Sequence, residues 1–220
     1  MKICYETVRN SEEIRTYITQ ADQSLLARGF TEHSFAHVTA VAENAAYILS
    51  TLGYPERTVE LAKIAGFLHD IGNLVNRVDH SQSGAVMAFR ILDKMGMEPA
   101  DVAAVITAIG HHDDPTAFPV NPVAAALILA DKTDVRRSRV RNKDMSTFDI
   151  HDRVNYAVEK ASTTLDAAGK AVVLDLQLDT GMSPVIDYFE IFLERMLLCR
   201  KAAEKLGLSF RLVVNGQTVL

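Results

Sequence analysis

The chain of 220 residues contains seven histidines, and five of them (His37, His69, His80, His111 and His112) fall in one stretch beside predicted helix ends or core-facing helices. His69 and Asp70 stand side by side in FLHDIGN, directly after an apolar run over residues 61–68 broken only by Lys63. A polar group entering a core must find a hydrogen bond, and a charge needs a partner. Asp131 follows ALILA and is again an acid beside core residues. Imidazole and carboxylate together suit divalent metals. A carboxylate can bridge two ions, whereas a lone imidazole serves one. Four imidazoles and two carboxylates are enough for two ions with open positions for water and substrate. Such a pair can clamp the attacking and leaving oxygens of a phosphoryl displacement. A single histidine in a chain like this is more often a satisfied core or surface residue than a ligand, and His33 and His151 are read that way. The ordered set His37, His69-Asp70, His80, His112, Asp131 is much harder to explain by chance.

These residues must be positioned by helices. The patterning predicts helices over about 11–29 and about 34–52, the second with Val38, Val41, Ala45, Ile48, Leu49 and Leu52 as its apolar stripe and Gly53 as a stop. Pro55 suits the first turn of a third helix ending near Asp70. A fourth runs from about Ser81 to before Gly96, and a fifth starts near Pro99. HHDDPTAFPVNP reads as a loop. A sixth helix starts at Pro122 and runs through AAALILADKTDVRR, and another covers about 150–167. After Gly169 the period changes to alternation, giving a strand over about 172–178. Ser183-Pro184 opens a long helix closing at Gly207, and Asn215-Gly216 turns a hairpin between strands at 210–214 and 217–220. The expected architecture is mainly α, a helical body over 1–168 with a C-terminal strand-helix-hairpin element over 169–220. That α+β element could dimerise through its open sheet edge or could equally cover the helical body.

Basic residues follow the last candidate ligand. Lys132, Arg136 and Arg137 are nearest to Asp131, and a continuous helix would bring Arg136 within side-chain reach of the site. Arginine recognises phosphate oxygens by paired bonds. This favours a phosphate ester as substrate, with Lys132, Arg136 and Arg137 binding it and Asp70, Lys132 and Arg136 as the candidate catalytic groups. Arg139, Arg141 and Lys143 are read as a solvated end. There is no P-loop, no GxGxxG and no nucleophilic serine or cysteine motif.

The order H…HD…H…H…D resembles the HD superfamily of metal-dependent phosphohydrolases. FLHDIGN is similar to that family's signature helix end, AIGHHDDP to its later histidine segment and LILADKTD to the segment with its final aspartate. The similarity covers roughly residues 30–140, and His80 in HSQSG resembles the two-metal branch. The resemblance implies an HD-type helical bundle. It also implies that Asp70 bridges two ions, with His37, His69 and Asp131 holding one and His80 and His112 the other. The family's spacing favours His112, with His111 as the alternative ligand. Iron or manganese is the expected metal, with magnesium, zinc, nickel and cobalt as alternatives. Position 73 is Asn73 where cyclic-dinucleotide phosphodiesterases carry lysine, and no GYP follows His112, which argues against that activity. The expected function is hydrolysis of a nucleotide or other small phosphate ester. Two other classes share the ligand order or the fold: di-iron oxygenases acting on a polyol or phosphonate, and non-catalytic HD sensor or interaction modules.

The bulk properties bound these readings. The chain is 48% hydrophobic, enough for a sizeable core, and its net charge of −5 argues against binding to nucleic-acid duplexes. No apolar run reaches the roughly 20 residues of a membrane span, and MKICYETVRN lacks the apolar stretch of a signal peptide. Only Cys4 and Cys199 are present, far apart. Together these point to a cytoplasmic protein in a reducing compartment, acting on a small phosphorylated substrate without a membrane partner.

Overall fold

Asn121 and Pro122 start the helix around which the rest of the body packs. The Asn121 side chain accepts from the Ala124 amide at 2.8 Å, and Pro122 has no amide to satisfy at the first helical position. In the computed structural model, which describes residues 2–113, 117–166, 168 and 170–220, every residue from 123 to 130 of this helix is buried. A helix apolar all round belongs inside.

Nine helices are present among the described residues: α1 (Tyr5–Arg9), α2 (Glu12–Ala27), α3 (Phe35–Thr51), α4 (Glu56–Leu68), α5 (His80–Lys94), α6 (Pro99–Gly110), α7 (Pro122–Lys132), α8 (Ile150–Ala157) and α9 (Val185–Lys205). Helices α3, α4, α6 and α9 surround α7. Helices α3 and α4 approach closely at Gly66, where an added Cβ would meet the Ala42 Cα at 2.7 Å. Residues 2–10 hold one element the patterning did not anticipate, α1, which docks on α4 through Tyr5 stacked edge-on against Phe67.

The sheet has four strands in the order β1 (Val158–Asp166), β2 (Ala171–Leu178), β3 (Ser209–Val214) and β4 (Gln217–Thr218). Strands β1 and β2 pair antiparallel, β2 and β3 parallel, and β3 and β4 antiparallel across the Asn215-Gly216 turn. Helix α9 is the crossover that parallel β2 and β3 require. The buried side chains of β2 and β3 belong to the same continuous apolar core as the helices.

Two elements differ from the sequence expectation. The helix expected over 150–167 breaks after Ala157, and the rest is β1, because residues 158–166 find backbone partners along β2. The sixth helix ends at Lys132 instead of running on through Arg137, and Thr133 closes it by donating its hydroxyl to the Leu129 carbonyl at 2.7 Å. The expected loop after His112 includes residues 114–116, and the expected change of period includes Gly169; these lie outside the described residues.

Candidate metal centre

Five helix ends converge on one point. His37 lies in the first turn of α3, and His69 caps the C-terminus of α4 with Asp70 next. His80 is the first residue of α5, placed there by Asp79 in the left-handed region at φ 56°. His112 follows the C-cap of α6, and Asp131 sits in the last turn of α7. The C-terminal ends of α4, α6 and α7 carry the negative end of the helix dipole, which favours a cation between them.

The donors fall into three overlapping groups: His37, His69 and Asp70; His69, His112 and Asp131; and Asp70, His80 and His112. His37 Nε2 lies 3.3 Å from His69 Nε2, 3.5 Å from Asp70 Oδ2 and 3.4 Å from Asp131 Oδ1. His69 Nε2 lies 3.3 Å from Asp70 Oδ2 and 3.6 Å from Asp131 Oδ1. These are five of the six edges of a tetrahedron. A regular one with edges of about 3.4 Å has its centre about 2.1 Å from each vertex, the length of a metal–nitrogen or metal–oxygen bond. On the other side, His80 Nε2 lies 3.4 Å from Asp70 Oδ1, and one donor atom each from Asp70, His80 and His112 lie within 4.8 Å of one another. His111 belongs to none of the potential metal-holding groups among the described residues.

Each imidazole is held by its other nitrogen. His37 Nδ1 meets Asp134 Oδ2 at 2.7 Å, His69 Nδ1 the Gly66 carbonyl at 2.8 Å, His80 Nδ1 the Arg77 carbonyl at 3.1 Å and His112 Nδ1 the Ile109 carbonyl at 2.6 Å. Each Nδ1–H therefore donates outward, and each Nε2 lone pair is left facing the cluster, the arrangement typical of metal-ligating histidine. Asn73 fixes Asp70 by donating to its Oδ1 at 2.9 Å and to its backbone carbonyl at 3.0 Å. Asp70 Oδ2 and His112 Nε2 are buried without hydrogen-bond partners among the described residues. A buried polar atom left bare is costly, and cations held by these donor groups would satisfy them.

The electrostatics also call for positive charge. Burial alone would lower the His69 pKa, but Asp70 and Asp131 outweigh it and push it up to about 10. Burial would raise the Asp70 and Asp131 carboxyls, yet His69 beside Asp70 and Lys132 beside Asp131 hold both well below the usual carboxylate range. His112, by contrast, is driven down to about 3 by burial and then by its cationic neighbours His69 and Lys132, so its ring stays neutral and able to ligate.

Residues 34–136 match the HD domain family. This segment is an HD domain. All six donors lie inside that HD domain, as does Asp134. A predicted HD superfamily hydrolase from an uncultured Thermotogales bacterium is 31% identical, with 56% of this chain and 67% of that one covered and a TM-score of 0.44. An uncharacterized protein of Methanocaldococcus jannaschii is 25% identical over 182 residues, which is 72% of this chain and 70% of the relative.

The HD domain does not bring all the expected basic residues to the cluster. Lys132 is buried there, but its ammonium is bonded to Asp113 and, at 2.8 Å, to Asp131 Oδ2, so it positions carboxylates. Arg136 turns away and grips Asp134 with bonds of 2.7 and 3.0 Å. Arg137 donates to the Tyr156 carbonyl and stacks over the Tyr156 ring. The reason is the end of α7 at Lys132, after which helical spacing no longer applies.

Four residues at the site escaped sequence reasoning. Asp134 orients His37 and is itself held by Arg136 and Arg139. Its one sequence signal is a second aspartate, three residues after Asp131, in ADKTD. Asp113 joins Lys132 to His80, at 3.5 Å from His80 Nε2. Arg77 lies across the His80 ring, 3.4 and 3.2 Å from its two nitrogens. His33, read as structural, stands edge-on to His37 at 5.5 Å between ring centroids. Among the described residues no helix is long and apolar enough to cross a membrane.

Proposed function

We propose that this HD domain is a metal-dependent phosphohydrolase acting on a nucleotide or another small phosphate ester through a mono- or dinuclear centre of iron or manganese. The observation that carries this reading is the shared carboxylate. Asp70 presents Oδ2 to His37 and His69 and Oδ1 to His80. In this reading Asp70 bridges the two positions, His37, His69 and Asp131 complete one, and His80 and His112 complete the other. Bound metal supplies Lewis acidity toward a phosphoryl oxygen and toward water. The chain's own residues do the rest. Asp134, Gly66, Arg77 and Ile109 fix the four rings through their Nδ1 atoms. Lys132 holds Asp131 and Asp113 in place. The Arg77 guanidinium, beside His80 and 3.6 Å from Asp113, is the cation best placed to meet a phosphate oxygen at the second position.

Elemental analysis of protein purified without chelators, followed by a phosphate-release screen over nucleotides and phosphate monoesters with added manganese or iron, tests the reading. Bound metal with phosphate release is the expected result. A silent phosphate screen, with oxygen uptake by the iron-loaded protein on a polyol or phosphonate, would replace it with an oxygenase.

A further inference from the structure

A cleft of about 320 Å³ borders the candidate metal centre: its lining includes Arg77, which touches His80, and His33 and Asp134, which touch His37. Besides Arg77 and Arg139, two guanidiniums line it from opposite parts of the chain: Arg28 after the C-terminus of α2 and Arg195 from α9. Each is held by an aromatic ring of the same cleft. The Arg28 Cζ lies 5.2 Å from the Phe30 centroid and the Arg195 Cζ 4.9 Å from the Phe192 centroid. Arg28 has one further tie, to Asn76 Oδ1 at 3.3 Å. Neither has a carboxylate partner among the described residues. Arg136 and Arg139 differ in this respect, since Asp134 takes both. Two more acids line the cleft at the start of α8, its N-cap Asp149 and Asp152, and both already accept hydrogen bonds: Asp149 from the Asp152 amide at 2.8 Å and Asp152 from Asn142 at 3.2 Å.

A guanidinium placed by a ring and lacking an acid partner is prepared for an anion, and phosphate is the anion whose geometry its paired N–H groups match. We propose that this cleft binds a second phosphate group of the substrate through Arg28 and Arg195, while the first lies at the metals beside Arg77. The substrate class is then a small molecule with two or more phosphates, such as a nucleoside diphosphate or triphosphate, in preference to a monophosphate. This rests on the phosphohydrolase reading and narrows it.

The test is calorimetric binding to the metal-loaded full chain of adenosine 5′-monophosphate and α,β-methylene adenosine diphosphate, whose bridge resists cleavage. Wild type should bind the diphosphate analogue at least about tenfold more tightly, the worth of one charge-assisted contact. Arg28→Ala and Arg195→Ala should each remove most of that difference and leave monophosphate binding and metal content unchanged. Arg195→Lys should restore part of it, because a point charge keeps the attraction without the fork. Equal binding of the two ligands by wild type, equal loss of both in the variants, or binding of neither would each overturn the cleft assignment. The broader hydrolase reading is judged separately, by phosphate release from monoesters.

Discussion

Gly72→Ala tests how the site is held together, because the added methyl has nowhere to go. A Cβ at position 72 would lie 2.0 Å from the His80 carbonyl oxygen, 2.5 Å from the Gly84 amide nitrogen and 2.6 Å from Ser83 Oγ. Two of these three are backbone atoms at the start of α5. To widen the first contact from 2.0 to even 3.0 Å, that backbone must retreat by about 1 Å. Overpacking of this kind costs about 1–3 kcal/mol, and neighbours that cannot rotate away put it near the upper end. At about 3 kcal/mol, a chain of this size should lose about 6–12 °C in Tm. The same retreat carries His80 with it, and metal–ligand distances tolerate only about 0.2 Å. Melting followed by circular dichroism in chelator should show the lower Tm, and elemental analysis should show loss of the ion on the His80 side with the ion at His37 and His69 retained. Gly53→Ala is the control: its φ of +75° imposes a strain of about 1–2 kcal/mol, but nothing lies within 4 Å and no ligand moves. A Gly72→Ala protein with wild-type Tm and wild-type metal content would refute the claim that this contact positions His80.

Three further outcomes follow from the geometry. Asp134→Ala leaves His37 Nδ1 without its acceptor and should weaken metal binding by about 10–100-fold, read by competition with a chromophoric chelator; unchanged affinity would mean that Arg136, Arg139 and Asp134 form only a structural knot. Asp70→Ala should empty both positions while His80→Ala empties one, so equal metal stoichiometry in the two variants would contradict the shared-carboxylate arrangement. Cys199 is buried, and burial pushes its thiol up to about 12, whereas the partly exposed Cys4 is lowered by its hydrogen bond with Thr7. A thiol reagent should therefore titrate one cysteine in the native protein and the second only on unfolding; two fast thiols would place Cys199 elsewhere.

What the sequence disclosed was what is local. Ser34 and Asn121 at helix starts, and Gly53, Gly96 and Gly207 in the left-handed region at helix ends, mark the helices because capping involves residues within a turn of each other. The six candidate donors each stand at such a boundary. Strand β1 could not be read locally, because VEKASTTLD carries weak alternation and becomes a strand only through β2. The same reasoning explains Asp134. Its role comes from a ring 97 positions away in sequence, and no spacing rule reaches that far. Arg136 binds Asp134 and not the cluster because Thr133 closes the helix that its spacing from Asp131 presupposes.

The convergence of five helix ends has a consequence for the lifetime of the fold. The donors run from His37 to Asp131 and meet only when α3, α4, α5, α6 and α7 are all docked. An unfolded chain has no such site, so a bound ion acts on the native state alone. A transition state for unfolding in which any one of these helices has lifted would already have broken the cluster. Bound metal should therefore slow the unfolding rate and leave the folding rate nearly unchanged, the pattern of contacts that form last. Metal would then act as a latch on the finished molecule, and chelation would shorten its half-life more than it alters its route to the folded state.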